Sequence, residues 1–144
     1  MSETSIEHLL EREAVIQVLS RYARGIDRRE AELYRSCLAD PIDVEAGQYG
    51  GKGMRADAWV AQAFEIANGY TTTQHIITNH EVEFPDGPDG NEARCLAYLQ
   101  AQHWREDESQ LIGGRYDHRL RREDGHWRIY QITLSVDWIQ QSGG

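Results

Sequence analysis

The chain is poor in cysteine, proline and positive charge. Its 144 residues include two cysteines and three prolines, and 15 lysines and arginines are outnumbered by 24 aspartates and glutamates, for a net charge of -9. The two cysteines, Cys37 and Cys95, cannot build a disulfide framework and lack the spacing of a metal site. An acidic chain also lacks the basic surface that would attract nucleic acids or anionic membranes. We therefore expect neither a nucleic acid nor a membrane as partner.

Long apolar runs are missing as well. No apolar run approaches the roughly 18 residues that a membrane-spanning helix needs. The first residues are polar and acidic, unlike a secretory signal, so we expect a cytoplasmic protein. With 40% hydrophobic and 27% charged residues, the composition is that of a globular protein. The length predicts one domain, residues 1–144.

Helical patterns dominate the first half. Residues 4–7 (Thr-Ser-Ile-Glu) fit a capping box at the start of a first helix, and Gly25 is a plausible stop. The apolar face of this helix is predicted to comprise Leu9, Ile16, Leu19, Ala23 and Ile26. A second helix is predicted over residues 28–38, capped by Asp27 and Glu30 and ended by the Asp40-Pro41 pair. A third is predicted over residues 57–68.

The second half has the pattern of β-strands. Strands are predicted over residues 71–84, 93–104, 111–121 and 127–138, with a short edge strand over 42–49. Residues 85–90 and the Asp124-Gly125 pair are predicted turns. Helices followed by a meander indicate an α+β fold. We predict a cone: a strongly curved antiparallel sheet whose internal pocket is closed by the three helices.

Two segments resemble known ligand sites only superficially. The glycine-rich segment 47–53 lacks the Ser or Thr that follows the lysine of a phosphate-binding loop, so we interpret it as an ordinary loop. His75 and His80 lie five residues apart on a predicted strand, where side chains alternate between faces. They are therefore predicted to point to opposite faces, and we expect no metal.

Three residues are candidates for chemistry, each with a simpler interpretation. His75 lies among β-branched residues and could act as a proton acceptor in a pocket, or could be a core histidine bonded to a backbone carbonyl. Asp27 could be only the N-cap of the second helix. Tyr22 could be only a core aromatic.

Several short motifs together resemble a known family. They are Tyr22-x4-Asp27-Arg28-Arg29, Thr73-Gln74-His75 with Asn79-His80, Tyr98-x2-Ala101-x-His103, Gly114-Arg115-Tyr116 and residues 124–129. In order and spacing, from about Glu7 to Trp138, they resemble the SnoaL-like branch of the nuclear transport factor 2-like superfamily. The resemblance implies the same cone.

The resemblance also implies a chemistry. Dehydratase and dehydrochlorinase members use a His–Asp dyad, and Asp27 and His75 match those positions, with Tyr22 matching a tyrosine of the bile acid dehydratase. This implies a lyase without cofactor that acts on a small apolar cyclic or aromatic substrate. Ile132 stands near the place of an arginine in the dehydrochlorinase, which makes dehydrochlorination a poorer match. An isomerase or cyclase with the same dyad, and a non-catalytic ligand-binding module, remain alternatives.

Further residues are assigned to the pocket and to an interface. The predicted substrate-binding residues are Trp59, Phe64, Tyr98, His103 and Tyr116, and Trp138 is a further aromatic candidate. Because Tyr98 and His103 have opposite strand parity, only one of them can face the pocket. Arg115, Arg119 and Arg121 share one parity and predict a charged outer sheet face. We expect a homodimer or homotrimer.

Overall fold

The computed structural model describes residues 5–143, which form three helices and six strands. In chain order the elements are α1 (Ile6–Asp27), α2 (Ala31–Ser36), β1 (Leu38–Ala46), β2 (Tyr49–Met54), α3 (Ala56–Asn68), β3 (Thr72–Glu83), β4 (Glu92–Arg105), β5 (Glu108–Glu123) and β6 (His126–Ser142). The fold is α+β, as predicted. No helix in the described range is long and apolar enough to span a membrane.

The six strands form one curved sheet in the order β2-β1-β6-β5-β4-β3. The edge strands β2 and β3 each pair with one neighbour and not with each other, so the sheet is not closed into a barrel. All neighbours are antiparallel except β1 and β6, which run parallel. The chain between these two strands contains α3 and four further strands, which is long enough for a parallel crossover. The expectation of a fully antiparallel sheet is corrected at this one pairing.

The helices cover the concave face of the sheet. From Ala93 to His103 every second side chain of β4 is buried, and four of these six are small, namely Ala93, Cys95, Ala97 and Ala101. This alternation is the pattern of a strand with one face toward the core. Ala93, Cys95 and Ala97 pack in the hydrophobic core, whereas Leu99 and Ala101 line the cavity described below.

Helix α1 differs from the prediction at both ends. Its N-cap is Ser5, whose hydroxyl accepts a hydrogen bond from the backbone of His8; Thr4 lies outside the described residues. Leu9, predicted on the apolar face, is 53% exposed. Gly25 does not stop the helix, which continues to Asp27. Gly25 is required for packing instead, because a Cβ there would lie 2.7 Å from the backbone nitrogen of Tyr34.

Helix α2 is shorter than predicted, and Asp27 does not cap it. The helix spans Ala31–Ser36, and its N-cap is Glu30, whose side chain makes no capping hydrogen bond. The Asp27 carboxylate binds β3 instead, as described below. The Asp40-Pro41 pair lies inside β1 and does not end the helix.

The glycine-rich segment 47–53 is a strand for most of its length, not a loop. Residues from Tyr49 onward form β2, which pairs with β1 as a hairpin. Gly50 has a φ of 98°, and a Cβ there would collide with the backbone of Val44. Gly50 therefore serves the tight approach of the two strands, which the strand preferences of single residues do not reveal.

A bulge in β3 overturns the expectation for His75 and His80. The register with β4 shifts between Thr78 and Glu81, where Asn79 has a φ of 58°. The extra residue reverses the alternation, so His80 lies on the same helix-facing side as His75. Within residues 5–143, no group of three or more His, Cys, Asp or Glu residues is arranged to hold a metal ion.

Candidate functional site

Asp27 and His75 are in direct contact. Asp27 is the last residue of α1, and His75 lies on the helix-facing side of β3. The His75 Nδ1 atom lies 2.7 Å from Oδ1 of Asp27, and the His75 backbone N–H donates to Oδ2 over 2.7 Å. The hydroxyl of Thr73, two residues earlier on the same face, donates to Oδ1 over 3.0 Å. Three donors from one strand therefore fix the carboxylate.

These contacts set the charge of the carboxylate and the tautomer of the imidazole. Burial alone would raise the pKa of Asp27, but the hydrogen bonds from the ring and backbone of His75 and from Thr73 outweigh it and hold that pKa below its ordinary value. An ionised carboxylate only accepts hydrogen bonds, so the proton of the neutral imidazole lies on Nδ1. The Nε2 atom is then left with a free lone pair. Within residues 5–143, Nε2 has no hydrogen-bond partner.

The imidazole of His75 lines a cavity of about 410 Å³ between the helices and the sheet. Four of the other predicted site residues also line it, namely Tyr22, Trp59, His103 and Tyr116. The remaining walls are mostly aliphatic, including Ile112, Ile132 and Leu134. Among the residues that line this cavity there is no Asp, Glu, Lys or Arg. The cavity thus offers an apolar space with a few polar groups.

A cluster of aromatic side chains forms the wall around Tyr22. The ring of Tyr22 stacks on Tyr34 at a centroid distance of 4.7 Å and meets the edge of Tyr116 at 6.2 Å. The indole Nε1 of Trp59 donates to the Tyr34 hydroxyl over 3.1 Å. Burial, and then the neighbouring hydroxyl of Tyr34, raises the pKa of Tyr22 well above its ordinary value. The Tyr22 hydroxyl therefore keeps its proton at any physiological pH.

His103 is the member of the Tyr98–His103 pair that faces the cavity. It is 9% exposed, and its ring lies edge-on to the ring of His75 at 5.8 Å. Burial, and then the nearby His75, lowers the pKa of His103 to about 4. Its Nδ1 atom is buried and has no hydrogen-bond partner among the described residues. His103 therefore adds a neutral polar group to the cavity.

Three predicted pocket aromatics lie elsewhere. Tyr98 is 57% exposed and Trp138 is 44% exposed, because strand alternation turns both to the outer face of the sheet. They border a surface groove beside the Arg115–Asp137 ion pair. Phe64 is half-buried on α3 with its ring against the edge of Tyr34, and it does not line the cavity. The outer face carries the predicted arginines, with Arg115 and Arg119 exposed, and the exposed aromatic side chains add apolar surface to it.

The structure adds site residues to which the sequence assigned no role. Thr73 contacts Asp27, Tyr34 extends the aromatic cluster, and Tyr70 and Gln110 line the cavity. Thr73 could have been found, because it shares the parity of His75 on the same strand. The others lie on separate elements, and no sequence pattern connects them to the dyad.

A surface groove also borders the Asp27–His75 dyad, on its solvent side. It is an open surface groove of about 830 Å³ between α1 and β3, and Asp27 and His75 both border it. The groove also exposes the arginines Arg24 and Arg28. The more enclosed cavity, on the other side of His75, is where the histidines and the buried tyrosines converge.

The chain belongs to the SnoaL-like domain family, whose model matches residues 7–133. This match covers nearly all of the fold, from the first turn of α1 into β6. No curated protein has significant sequence similarity to the chain.

Solved structures show the same fold at low sequence identity. Kfla4162 from Kribbella flavida has a TM-score of 0.83 and 22% identity, covering 92% of this chain and 94% of its own. A Novosphingobium aromaticivorans protein assigned as a scytalone dehydratase has a TM-score of 0.83 and 19% identity, covering 96% and 91%. A type 2 hexachlorocyclohexane dehydrochlorinase has a TM-score of 0.78 and 20% identity, covering 96% and 93%. The curved sheet with three helices is therefore the fold of this group of proteins.

Proposed function

We propose that this SnoaL-like protein is a cofactor-independent lyase that eliminates water, or a comparable small group, from a small apolar cyclic or aromatic substrate. The observation that supports the proposal best is the Asp27–His75 pair beside an apolar cavity, with the Nε2 lone pair of His75 free. The similarity in fold to proteins named for dehydration and dehydrochlorination is consistent with this reaction class.

In the proposed reaction His75 is the general base. Its Nε2 atom removes a proton from a carbon next to an activating group, such as a carbonyl, and the imidazole becomes a cation. Asp27 holds the ring in the required tautomer and stabilises the imidazolium that forms. The depressed pKa of Asp27 supports this role, because the carboxylate keeps its negative charge throughout.

Tyr22 supplies the acid side of the elimination. The carbon–oxygen bond breaks more easily when the departing oxygen receives a hydrogen bond or a proton. Tyr22 lines the same cavity as His75, and its raised pKa keeps the hydroxyl protonated and able to donate. The electron pair of the broken C–H bond forms the new double bond, and the departing hydroxyl takes the Tyr22 proton and leaves as water. The proton held by the His75 imidazolium then returns to the strongly basic tyrosinate, which restores both groups for the next turnover.

The cavity walls favour an uncharged, largely apolar substrate. No cationic side chain lines the cavity to bind a carboxylate or a phosphate, and removing a bare anion from water would be costly. Trp59 and Tyr116 provide flat apolar surfaces for a ring, and His103 provides a polar contact for a hydroxyl or carbonyl. We therefore propose a neutral cyclic hydroxy compound.

The test is a screen of neutral cyclic β-hydroxy ketones and related alcohols, followed by mass spectrometry. Turnover with the loss of one water from the substrate, absent in His75→Gln, is the expected result. A product of unchanged mass that still depends on His75 would replace the lyase with an isomerase or cyclase. Ligands that raise the melting temperature but remain unchanged would favour a non-catalytic binding module.

We also propose that the chain assembles with copies of itself, as a homodimer or homotrimer. Exposed apolar side chains on the outer sheet face, including Ile76, Tyr98 and Trp138, support this proposal. Light scattering on the purified protein tests it, and a monomer mass at micromolar concentration would contradict it.

A further inference from the structure

Arg29 makes an unusually complete set of hydrogen bonds directly behind the dyad. Its guanidinium donates to the side-chain oxygens of Asn68 and Thr73, each over 3.0 Å. It also donates to the backbone oxygens of Ile26 at 2.6 Å, Asp27 at 3.4 Å and Ala67 at 2.7 Å. One side chain therefore ties together the end of α1, the end of α3 and the start of β3.

The backbone of Arg29 is shaped for this position. Its φ is 58°, in the left-handed region that residues other than glycine rarely adopt. The turn directs the side chain back under the last turn of α1, where it donates to the carbonyl oxygen of Ile26, which also accepts from the Arg29 backbone N–H. A non-glycine residue in this conformation costs free energy, so its surroundings must hold it there.

The contact between Arg29 and Thr73 fixes the direction of a proton. Arginine can only donate, so the Thr73 hydroxyl oxygen accepts from Nη1 of Arg29. The single hydroxyl proton of Thr73 is then directed to Oδ1 of Asp27, which lies 3.0 Å away. Oδ1 is the same oxygen that accepts from Nδ1 of His75. A chain of hydrogen bonds thus runs from Arg29 through Thr73 and Asp27 to His75.

We infer that Arg29 and Thr73 are positioning residues for the base: Arg29 orients the hydroxyl of Thr73, and Thr73 locks the Asp27 carboxylate against Nδ1 of His75. This inference rests on the proposed function for its kinetic consequence, but not for its structural one. Without the Thr73 hydroxyl, the carboxylate keeps only its contacts to His75 and can rotate. The imidazole then spends part of its time in the wrong tautomer or orientation.

The central variant is Thr73→Val, which removes the hydroxyl and nearly preserves the volume of a side chain that is 4% exposed. Thr73→Ser restores the hydroxyl and is the rescue variant. Thr78→Val, on the exposed face of the same strand, is the matched control for a threonine-to-valine change in β3. Arg29→Lys keeps the charge but loses the planar fork of donors.

The first measurement needs no substrate. In ¹⁵N-histidine NMR spectra, the signals of His75 are identified among the six histidines by their absence in His75→Gln. We expect the Nδ1–H tautomer in the wild type, in Thr73→Ser and in Thr78→Val, and a mixture of tautomers in Thr73→Val. Arg29→Lys, measured well below its melting temperature, should shift toward the same mixture. An unchanged single tautomer in Thr73→Val would overturn the inference.

The second measurement is kinetic, with any substrate that the wild type converts. Thr73→Val should lower kcat on the order of tenfold, because one hydrogen bond to a charged group is lost, and should leave KM unchanged. Thr73→Ser should recover most of the rate. A wild-type kcat in Thr73→Val would overturn the kinetic role. If Thr73→Val shows the mixture of tautomers but the wild type converts no substrate, the proposed lyase function is rejected and the positioning role of Thr73 stands.

Discussion

His75 and His118 both lie on the concave side of the sheet, yet their surroundings are opposite. The His75 side chain is 15% exposed, binds a carboxylate and borders a cavity. His118, on β5, is fully buried against the rings of Tyr22 and Tyr116, and neither ring nitrogen has a partner among the described residues. Burial lowers the pKa of His118 to about 3. The comparison teaches that a buried histidine becomes a candidate base only where a carboxylate binds one ring nitrogen and a cavity is open to the ring.

The largest expected effect is the loss of turnover when His75, and not His118, is substituted. His75→Gln should lower kcat by about 10²- to 10⁴-fold, the usual contribution of a general base. The melting temperature should change little, because Asp27 still accepts hydrogen bonds from the hydroxyl of Thr73 and from the backbone N–H of residue 75. Steady-state kinetics and thermal denaturation of the same preparation measure both quantities. A His75→Gln variant with a lowered melting temperature and a wild-type kcat would show that His75 is structural and not the base.

The second prediction concerns acid stability and His118. The unfolded chain takes up a proton on this residue near pH 6.5, whereas the folded chain does so only near pH 3. The stability that comes from keeping His118 neutral is therefore complete above pH 6.5 and is lost as the pH falls toward 3. The slope is about 1.4 kcal/mol per pH unit for one proton. Urea denaturation at pH 7 and pH 5 measures it.

His118→Leu tests whether this residue causes the acid sensitivity. Leucine needs no hydrogen-bond partner, so the variant should be about as stable as the wild type at pH 7 and more stable at pH 5. His103, whose pKa is also lowered, should account for part of the remaining slope. Equal pH slopes for the variant and the wild type would show that His118 is not the group involved.

The third prediction concerns the packing of the aromatic cluster beside His118, where Gly25 lies against Tyr34. Gly25→Ala places a Cβ 2.7 Å from the backbone nitrogen of Tyr34, so α1 and α2 must move apart. Overpacking of this kind costs about 1–3 kcal/mol. Gly51→Ala is the control, because its Cβ would meet only the Met54 side chain at 3.5 Å. Equal unfolding midpoints for the two variants would contradict the packing role of Gly25.

The smallest expected effect is on the outer face of the sheet. Tyr98→Ala should leave kcat and KM unchanged, because the side chain is 57% exposed and points away from the cavity. The change in the free energy of unfolding should stay within about 0.5 kcal/mol. A large rise in KM would place Tyr98 at the substrate after all.

The sequence predicted the fold class and most strands because hydrophobic alternation and turn residues are local signals. It missed what depends on packing between distant elements. Gly25 matches a helix stop in sequence but serves a close helix contact, and Gly50 lies in a segment that matches a loop but serves a tight hairpin. The bulge at Asn79 reversed the faces of β3 beyond it, which strict alternation cannot foresee.

The site was predictable in part, through the resemblance rather than through local pattern. Asp27 and His75 are 48 residues apart, so only the fold brings them together. Strand parity reduced Tyr98 and His103 to alternatives, and the structure selects His103. Arg29 was part of a motif that carries the resemblance, but its role was not predictable, because its partners come from α1, α3 and β3 and depend on one left-handed backbone turn.

The most direct test of the central claim is the turnover of Asp27→Asn. The amide nearly preserves the shape of the carboxylate but removes its charge and favours the wrong tautomer of His75. We predict a fall in kcat of about 10²- to 10⁴-fold with little change in KM. Asp137→Asn, at the exposed ion pair with Arg115, is the matched control and should be unaffected. A wild-type kcat in Asp27→Asn would contradict the account.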